Sequence, residues 1–231
     1  MKLSVVIITF NCEKIIVDAV KSASFADEIL VLDSGSEDKT IEIARNLGAC
    51  VKHNEWLGFG RQKQRAIELA KNDWVFVLDS DERITKALQK EIVSVLKKPS
   101  FVAYTVPRLN NFFGKFIRHG GFYPDRNVRL FDRRYANFTD DEVHEKIITN
   151  SRVGHLKEPM IHYAYDTIEE FINKQNRYST LGVRRNRFKA VFSPFWTFFR
   201  IYILKLGFLD GWHGFVIAKL YSQYTFWKYI K

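Results

Sequence analysis

The stretch Trp74-Val75-Phe76-Val77-Leu78-Asp79-Ser80-Asp81-Glu82 runs an apolar segment of strand length directly into three carboxylates. A short apolar run bounded by polar turn residues reads as a buried β-strand. Two carboxylates one residue apart at a strand-to-loop transition can offer oxygen ligands to Mg²⁺ or Mn²⁺, hard cations that bridge to substrate phosphates. Like charges held this close need a cation or solvent to offset their repulsion. The competing reading is a solvated acidic loop in which Glu82 opens the next helix.

Upstream, Leu3 to Thr9 and Glu28 to Leu32 are apolar strand-like runs, and Cys50 to His53 is a shorter one. Between them, Glu13 to Ser24, Asp38 to Leu47 and Arg61 to Ala70 have helical patterning. Strands alternating with helices imply an α/β fold with a parallel, twisted sheet covered on both faces. Ligands of such sheets sit beyond the carboxyl ends of the strands. Thr9-Phe10-Asn11, Asp33-Ser34-Gly35 and Asp79-Ser80-Asp81 all fall at such ends. Downstream, Val102 to Val106 and Val128 to Phe131 read as strands around a Gly, Arg and aromatic segment, Asn110 to Asp125.

In Val31-Leu32-Asp33-Ser34-Gly35-Ser36-Glu37-Asp38-Lys39-Thr40 a strand delivers an aspartate into a Gly/Ser turn that opens a helix. Such an aspartate can accept hydrogen bonds from a ribose or a base, and the free N–H groups at the helix start favour an anion. A plain turn with Ser36 or Asp38 as helix cap explains the same residue types. The dinucleotide pattern G-x-G-x-x-G is absent. So is a Gly-rich phosphate loop near the N-terminus, which a nucleotidyltransferase using the same carboxylate pair would need. A nucleic-acid-binding module would account for the net charge of +10 but not for the placement of Asp33 and Asp79.

Composition narrows the remainder. Hydrophobic residues make up 46% and charged residues 27%, as in a folded globular chain, and Cys12 and Cys50 give neither a disulfide framework nor a zinc spacing. The run Val5-Val6-Ile7-Ile8 is too short for a signal peptide, so a cytoplasmic location is expected.

Ser4 to Asn11, Asp33 to Thr40 and Asp79 to Glu82 together resemble glycosyltransferase family 2, whose members bind a nucleoside diphosphate sugar on a GT-A fold. Trp56 to Gln64, Gly120 to Asp125, Arg129-Leu130-Phe131 and Val143-His144-Glu145 resemble the bacterial branch that adds β-linked glucose to the inner-core heptose of lipopolysaccharide or lipooligosaccharide. The resemblance implies an inverting hexosyltransferase that uses a UDP-sugar, with a lipid-linked saccharide as acceptor. It implies that Thr9, Asn11 and Ser34 lie near the nucleoside and that Asp33 holds the uracil or ribose. Asp79 then approaches the ribose or donor sugar, Asp81 ligates Mg²⁺ or Mn²⁺, and Arg61 and Lys63 lie near the donor phosphates. An exposed helix face is the alternative for the last two. The base is Glu145, with Asp141 as runner-up. His162 is either a nitrogen ligand to the metal or a core histidine. Arg177 is a diphosphate clamp without the Gln-x-x-Arg-Trp pattern of processive synthases.

The expected organisation is a GT-A catalytic domain over residues 1–183, with a nucleotide-sugar half (1–97) and an acceptor half (98–183), followed by a helical, aromatic and basic extension (184–231). In that extension nine Lys or Arg face a single acid, Asp210, and fifteen of the chain's aromatics are concentrated there. Ser193-Pro194, Phe195 to Leu206 and Gly207 carry helix start and stop signals, and a second helix is expected from Trp212 to Ile230. Arg200, Lys205 and Lys219 interrupt the apolar runs, so peripheral contact with an anionic membrane surface is expected rather than a span. No nucleic-acid partner is expected, and the sequence sets no oligomeric state.

Overall fold

The computed structural model describes residues 1–138 and 147–231. The first half alternates as expected: β1 (Leu3–Thr9), α1 (Ile16–Ser22), β2 (Glu28–Asp33), α2 (Thr40–Asn46), β3 (Cys50–His53), α3 (Phe59–Leu69), β4 (Trp74–Asp79), β5 (Glu82–Ile84) and α4 (Lys86–Lys97). Strands dominate the middle: β6 (Ala103–Phe112), β7 (Lys115–Phe116), β8 (Asp125–Asp132), β9 (Asn137–Phe138), β10 (Ile147–Ile148), β11 (Val153–His155) and β12 (Met160–Tyr165). Helices α5 (Ile168–Leu181), α6 (Arg187–Phe199) and α7 (Gly211–Ile230) close the chain. Two compact units result, one of Met1–Pro107 with Arg126–Ile161 and one of Arg108–Asp125 with His162–Lys231. These cuts differ from the sequence-based boundaries at 97 and 183.

The main sheet has the order β3-β2-β1-β4-β8-β6-β12-β5. Its first four strands are parallel, whereas β8 runs antiparallel to β4, so the sheet is mixed and not purely parallel. Side chains alternate across it, as the two-residue period of a strand requires. Val5, Ile7, Val31, Phe76 and Leu78 face one core with Ile16, Ala44 and Leu88 of the helices. Val6, Leu30, Leu32, Val75 and Val77 face the other with Ala66 and Ile67 of α3. Both faces are therefore covered. Glu82 does not open the next helix as the acidic-loop reading had it; it begins a three-residue strand, and Thr85 caps α4 through its side chain.

The second unit has its own aromatic core of Phe112, Ile117, Tyr165, Phe171 and Ile217. Asp210, the lone acid of the C-terminal segment, is buried and accepts from the backbone N–H groups of Arg118 and His119. The helix expected to start at Ser193-Pro194 starts earlier. Asn186 caps it by accepting from the Lys189 N–H, which places Pro194 inside α6. A π-turn (Arg200–Leu204) then ends it before Gly207. Gly207 and Gly214 meet so closely that a Cβ on Gly214 would lie 1.9 Å from the Gly207 carbonyl oxygen.

Candidate active site

Parallel pairing brings four strand ends to one edge of the first unit: Thr9 lies opposite Asp33, Ile8 opposite Asp79, and Asp33 opposite His53. At this edge Asp33 is buried and saturated with internal donors. Its Oδ2 accepts from the N–H of Gly35 (2.9 Å) and of Ser36 (2.8 Å), and its Oδ1 accepts from the Thr9 hydroxyl (3.1 Å) and the Ser36 hydroxyl. Gly35 has φ 94°, a conformation that glycine adopts without strain. Asn11, also at positive φ, accepts from the Glu37 N–H at 2.9 Å and donates its own N–H to Ser36 Oγ at 2.8 Å. The Ser34 N–H donates to the Thr9 carbonyl at 3.0 Å, so Thr9, Asn11, Asp33 and Ser34 belong to one network, in which Asp33 organises the turn.

The same edge holds a buried charge cluster. Lys63 Nζ lies 2.9 Å from Asp79 Oδ1, and Arg129 Nη2 lies 3.0 Å from Asp79 Oδ2 and 2.6 Å from Glu82 Oε1. Glu82 Oε2 in turn accepts from the Asp79 N–H at 3.0 Å. Burial alone would raise the Asp79 carboxyl pKa, but the Lys63 and Arg129 cations outweigh it and hold the group below the usual carboxylate range. For Arg129 burial works against the charge, while Glu82 and Asp79 push its pKa up beyond the ordinary guanidinium value. Two cations and two carboxylates therefore offset one another, as buried charges must.

Lys63 is buried, contrary to the exposed-face alternative, whereas Arg61 on the same helix is exposed. Asp81 is half-buried and lies in the chain between Asp79 and Glu82 of the cluster. Among the described residues no group of three or more His, Cys, Asp or Glu forms a self-contained cation site. A half-buried carboxylate at a strand end fits Mg²⁺ or Mn²⁺ of the kind that takes its remaining ligands from substrate phosphates and water. His162 and Arg177 belong to the second unit. His162 Nδ1 meets Asn110 Oδ1 at 2.7 Å, and Asn110 Nδ2 donates to the Phe122 carbonyl at 3.2 Å. Arg177 is exposed on α5. Glu145 and Asp141 lie outside the described residues.

Sequence reasoning gave no role to Gln62, Glu82 or Arg129. Gln62 is fully buried and donates to Ser34 Oγ at 3.0 Å. A signal existed: Gln62 and Lys63 open the stripe Gln62, Lys63, Ala66, Ile67 that α3 turns inward. Polar residues in such a stripe need partners. Arg129 stands just before the buried Leu130 and Phe131, and a charge beside such residues must likewise be paired.

The family model "Glycosyl transferase family 2" matches residues 4–153. The chain belongs to glycosyl transferase family 2. An uncharacterized glycosyltransferase of Rickettsia bellii is 30% identical over all of this chain and 85% of its own length. The lipopolysaccharide core biosynthesis glycosyltransferase LpsC of Rhizobium meliloti is 29% identical over 98% of this chain and 90% of its own. Among solved structures, S. aureus TarS 1-349 in complex with UDP-GlcNAc superposes with a TM-score of 0.54 at 16% identity, covering 99% of this chain and 90% of that one. The fold of this family 2 chain is thus GT-A, as its sequence motifs implied, and its class of chemistry is glycosyl transfer, not nucleotidyl transfer.

Proposed function

We propose that this enzyme transfers a hexose, glucose from UDP-glucose, with inversion onto a sugar hydroxyl of a lipid-linked core oligosaccharide, such as the heptose of lipopolysaccharide or lipooligosaccharide. The observation that carries this reading is the similarity to LpsC over almost the whole of both chains. The TarS complex with UDP-GlcNAc supports a UDP-sugar donor, since its fold is the same.

In this reading the 1–97 half holds the donor, 98–183 faces the acceptor and 184–231 meets the membrane. The network of Thr9, Asn11, Asp33 and Ser34 presents the nucleoside side of the site, and Asp79, kept ionised by Lys63 and Arg129, accepts from donor hydroxyls. Asp81 holds Mg²⁺ or Mn²⁺. The bound cation would supply neutralisation for the charge that develops on the leaving diphosphate. Arg61 contributes positive charge toward the phosphates. Glu145, or Asp141 in its place, takes the proton of the acceptor hydroxyl. That oxygen enters opposite the leaving group, so an α-linked donor gives a β-linked product.

The second unit supports action at the cytoplasmic face of an anionic membrane. No single helix among the described residues is long and apolar enough to cross a bilayer, while the pair Arg187–Leu204 and Gly207–Ile230, bent by 71°, passes on length and composition. Phe195 of α6 is 75% exposed and Trp212 of α7 is 71% exposed, in a segment whose charge is strongly positive. Aromatic side chains with basic residues around them suit the interfacial plane of an anionic bilayer.

The test is a donor panel (UDP-glucose, UDP-galactose, UDP-GlcNAc) with a purified heptose-containing core lipid, with Mg²⁺ or Mn²⁺ and with EDTA. Released UDP and the anomeric configuration of the product are read. Cation-dependent UDP release with a β-linked glucosyl product is expected. Release that persists in EDTA, or an α-linked product, overturns the mechanism.

A further inference from the structure

Arg83 follows the acidic run directly and is buried. β4 ends at Asp79 and β5 begins at Glu82, so Ser80 and Asp81 are the whole connection between the two strands. A two-residue connection is ordinarily fixed by the hydrogen-bonded ladder of a hairpin. Among the described residues no such ladder joins these strands: β4 stands between β1 and β8, while β5 ends the sheet order beside β12. Side chains must therefore hold the acidic turn.

A guanidinium supplies that hold. Arg83 Nη1 donates to the Ser80 carbonyl at 2.8 Å and to the Glu82 carbonyl at 2.7 Å, and Nη2 donates to the Ile15 carbonyl at 2.9 Å. The Ser80 carbonyl belongs to the peptide plane that enters Asp81, and the Glu82 carbonyl to the plane that leaves Glu82, so both sides of the turn are pinned to one rigid group. The third bond anchors that group to the turn ahead of α1, where the N–H groups of Ile15 and Ile16 donate to the Cys12 carbonyl at 3.0 and 2.9 Å. Cys12 Sγ also meets Ser80 Oγ at 3.5 Å. Arginine suits this position because its planar fork presents several donors in fixed directions and keeps its charge. Hydrogen bonds from a cation to carbonyl oxygens are stronger than those from a neutral donor.

We infer that Arg83 is a positioning residue for the catalytic cation: it fixes the backbone around Asp81, so that the carboxylate is aimed before Mg²⁺ or Mn²⁺ arrives. This rests on the reading of Asp81 as the cation's ligand and adds what orients it. A ligand whose backbone is already fixed loses little conformational freedom when the cation binds. Partners that orient a metal ligand change metal affinity by about 10–100-fold when removed.

The experiment follows UDP affinity by calorimetry across a Mn²⁺ series, and uridine affinity without metal by ligand-observed NMR, for wild type, Arg83→Lys and Asp81→Ala. Lysine keeps the charge but donates from a single nitrogen, which cannot span the carbonyls of Ser80, Glu82 and Ile15. Arg83→Lys is expected to need about tenfold more Mn²⁺ for the half-maximal gain in UDP affinity, with uridine binding unchanged, while Asp81→Ala loses the Mn²⁺ response. A wild-type Mn²⁺ dependence in Arg83→Lys overturns the positioning role and leaves Asp81 as the ligand. Weaker uridine binding with an unchanged Mn²⁺ dependence assigns Arg83 to the nucleoside turn through Ile15 and equally overturns it. Wild-type protein that binds UDP without any response to Mn²⁺ removes the cation reading itself, and the positioning role with it. A second measurement needs no variant to fold: in wild type the guanidinium N–H signals of Arg83 should exchange slowly with water before any cation is added and stay so with Mg²⁺ and UDP. Fast exchange that slows only on adding them overturns the preformed hold.

Discussion

The two units use charge in opposite ways. At the sheet edge of the first, Lys63, Arg129 and Glu82 are buried, Asp79 is half-buried, and the four charges cancel one another, so this cluster is preorganised and nearly neutral. In the C-terminal segment of the second, nine cations face one acid, and that acid, Asp210, is already engaged by the backbone of Arg118 and His119. The contrast separates charge that holds a site in shape from charge that no carboxylate side chain in its own segment offsets. Aromatic residues divide similarly: Phe112, Tyr165 and Phe171 build a core, while Phe195 and Trp212 remain at the surface.

This contrast can be broken first at Asp81, the carboxylate beside the neutral cluster. Asp81→Ala should leave the circular dichroism and melting temperature unchanged and lower turnover by about 10³-fold or more, the scale of removing a cation that stabilises the leaving group. Normal cation-dependent turnover in that variant removes Asp81 from the mechanism. Next is the base: Glu145→Gln should keep UDP binding and lose roughly 10²–10⁴-fold in turnover. If Asp141→Asn is inactive while Glu145→Gln still turns over, the role passes to Asp141.

The neutral cluster itself is tested by Arg129→Met, which leaves Glu82 buried without its cation. Chemical denaturation should show a loss of about 3–5 kcal/mol, because an uncompensated buried charge is costly. Neutralising the partner in Arg129→Met/Glu82→Gln should restore part of it. Asp79 adds a pH dependence. Its folded pKa is depressed, so its contribution to stability is complete above the ordinary carboxylate pKa of about 4 and is lost as the pH falls toward the lower folded value. Acid unfolding of the wild type should therefore steepen below about pH 4, less so in Arg129→Met.

The smallest expected effect sharpens the other side of the comparison. Replacing Arg184, Arg185, Arg187 and Lys189 by Ser should leave stability and UDP binding intact while reducing co-flotation with anionic vesicles severalfold, and salt should weaken the wild-type signal in the same direction. Intact protein that ignores both anionic and neutral vesicles at low salt would reassign the exposed aromatics to a protein interface.

The sequence by itself determined the alternating strands and helices of the first half, the carboxylates at strand ends, and the family they signal. Those features are local: an apolar run of strand length and the turn residues after it are read within a few positions. At α6 the Ser-Pro signal misled, because Asn186 supplied an earlier cap and Pro194 was accommodated within the helix. Tertiary structure alone decided which charges meet. Arg129 reaches Asp79 and Glu82 because β8 pairs antiparallel to β4, with Phe76 opposite Leu130 and Val75 opposite Phe131. That register depends on how the whole middle of the chain folds back. Lys63 turned inward for a related reason: its helix presents that face to a sheet edge where a half-buried carboxylate needs a cation, a requirement that exists only once the strands have assembled.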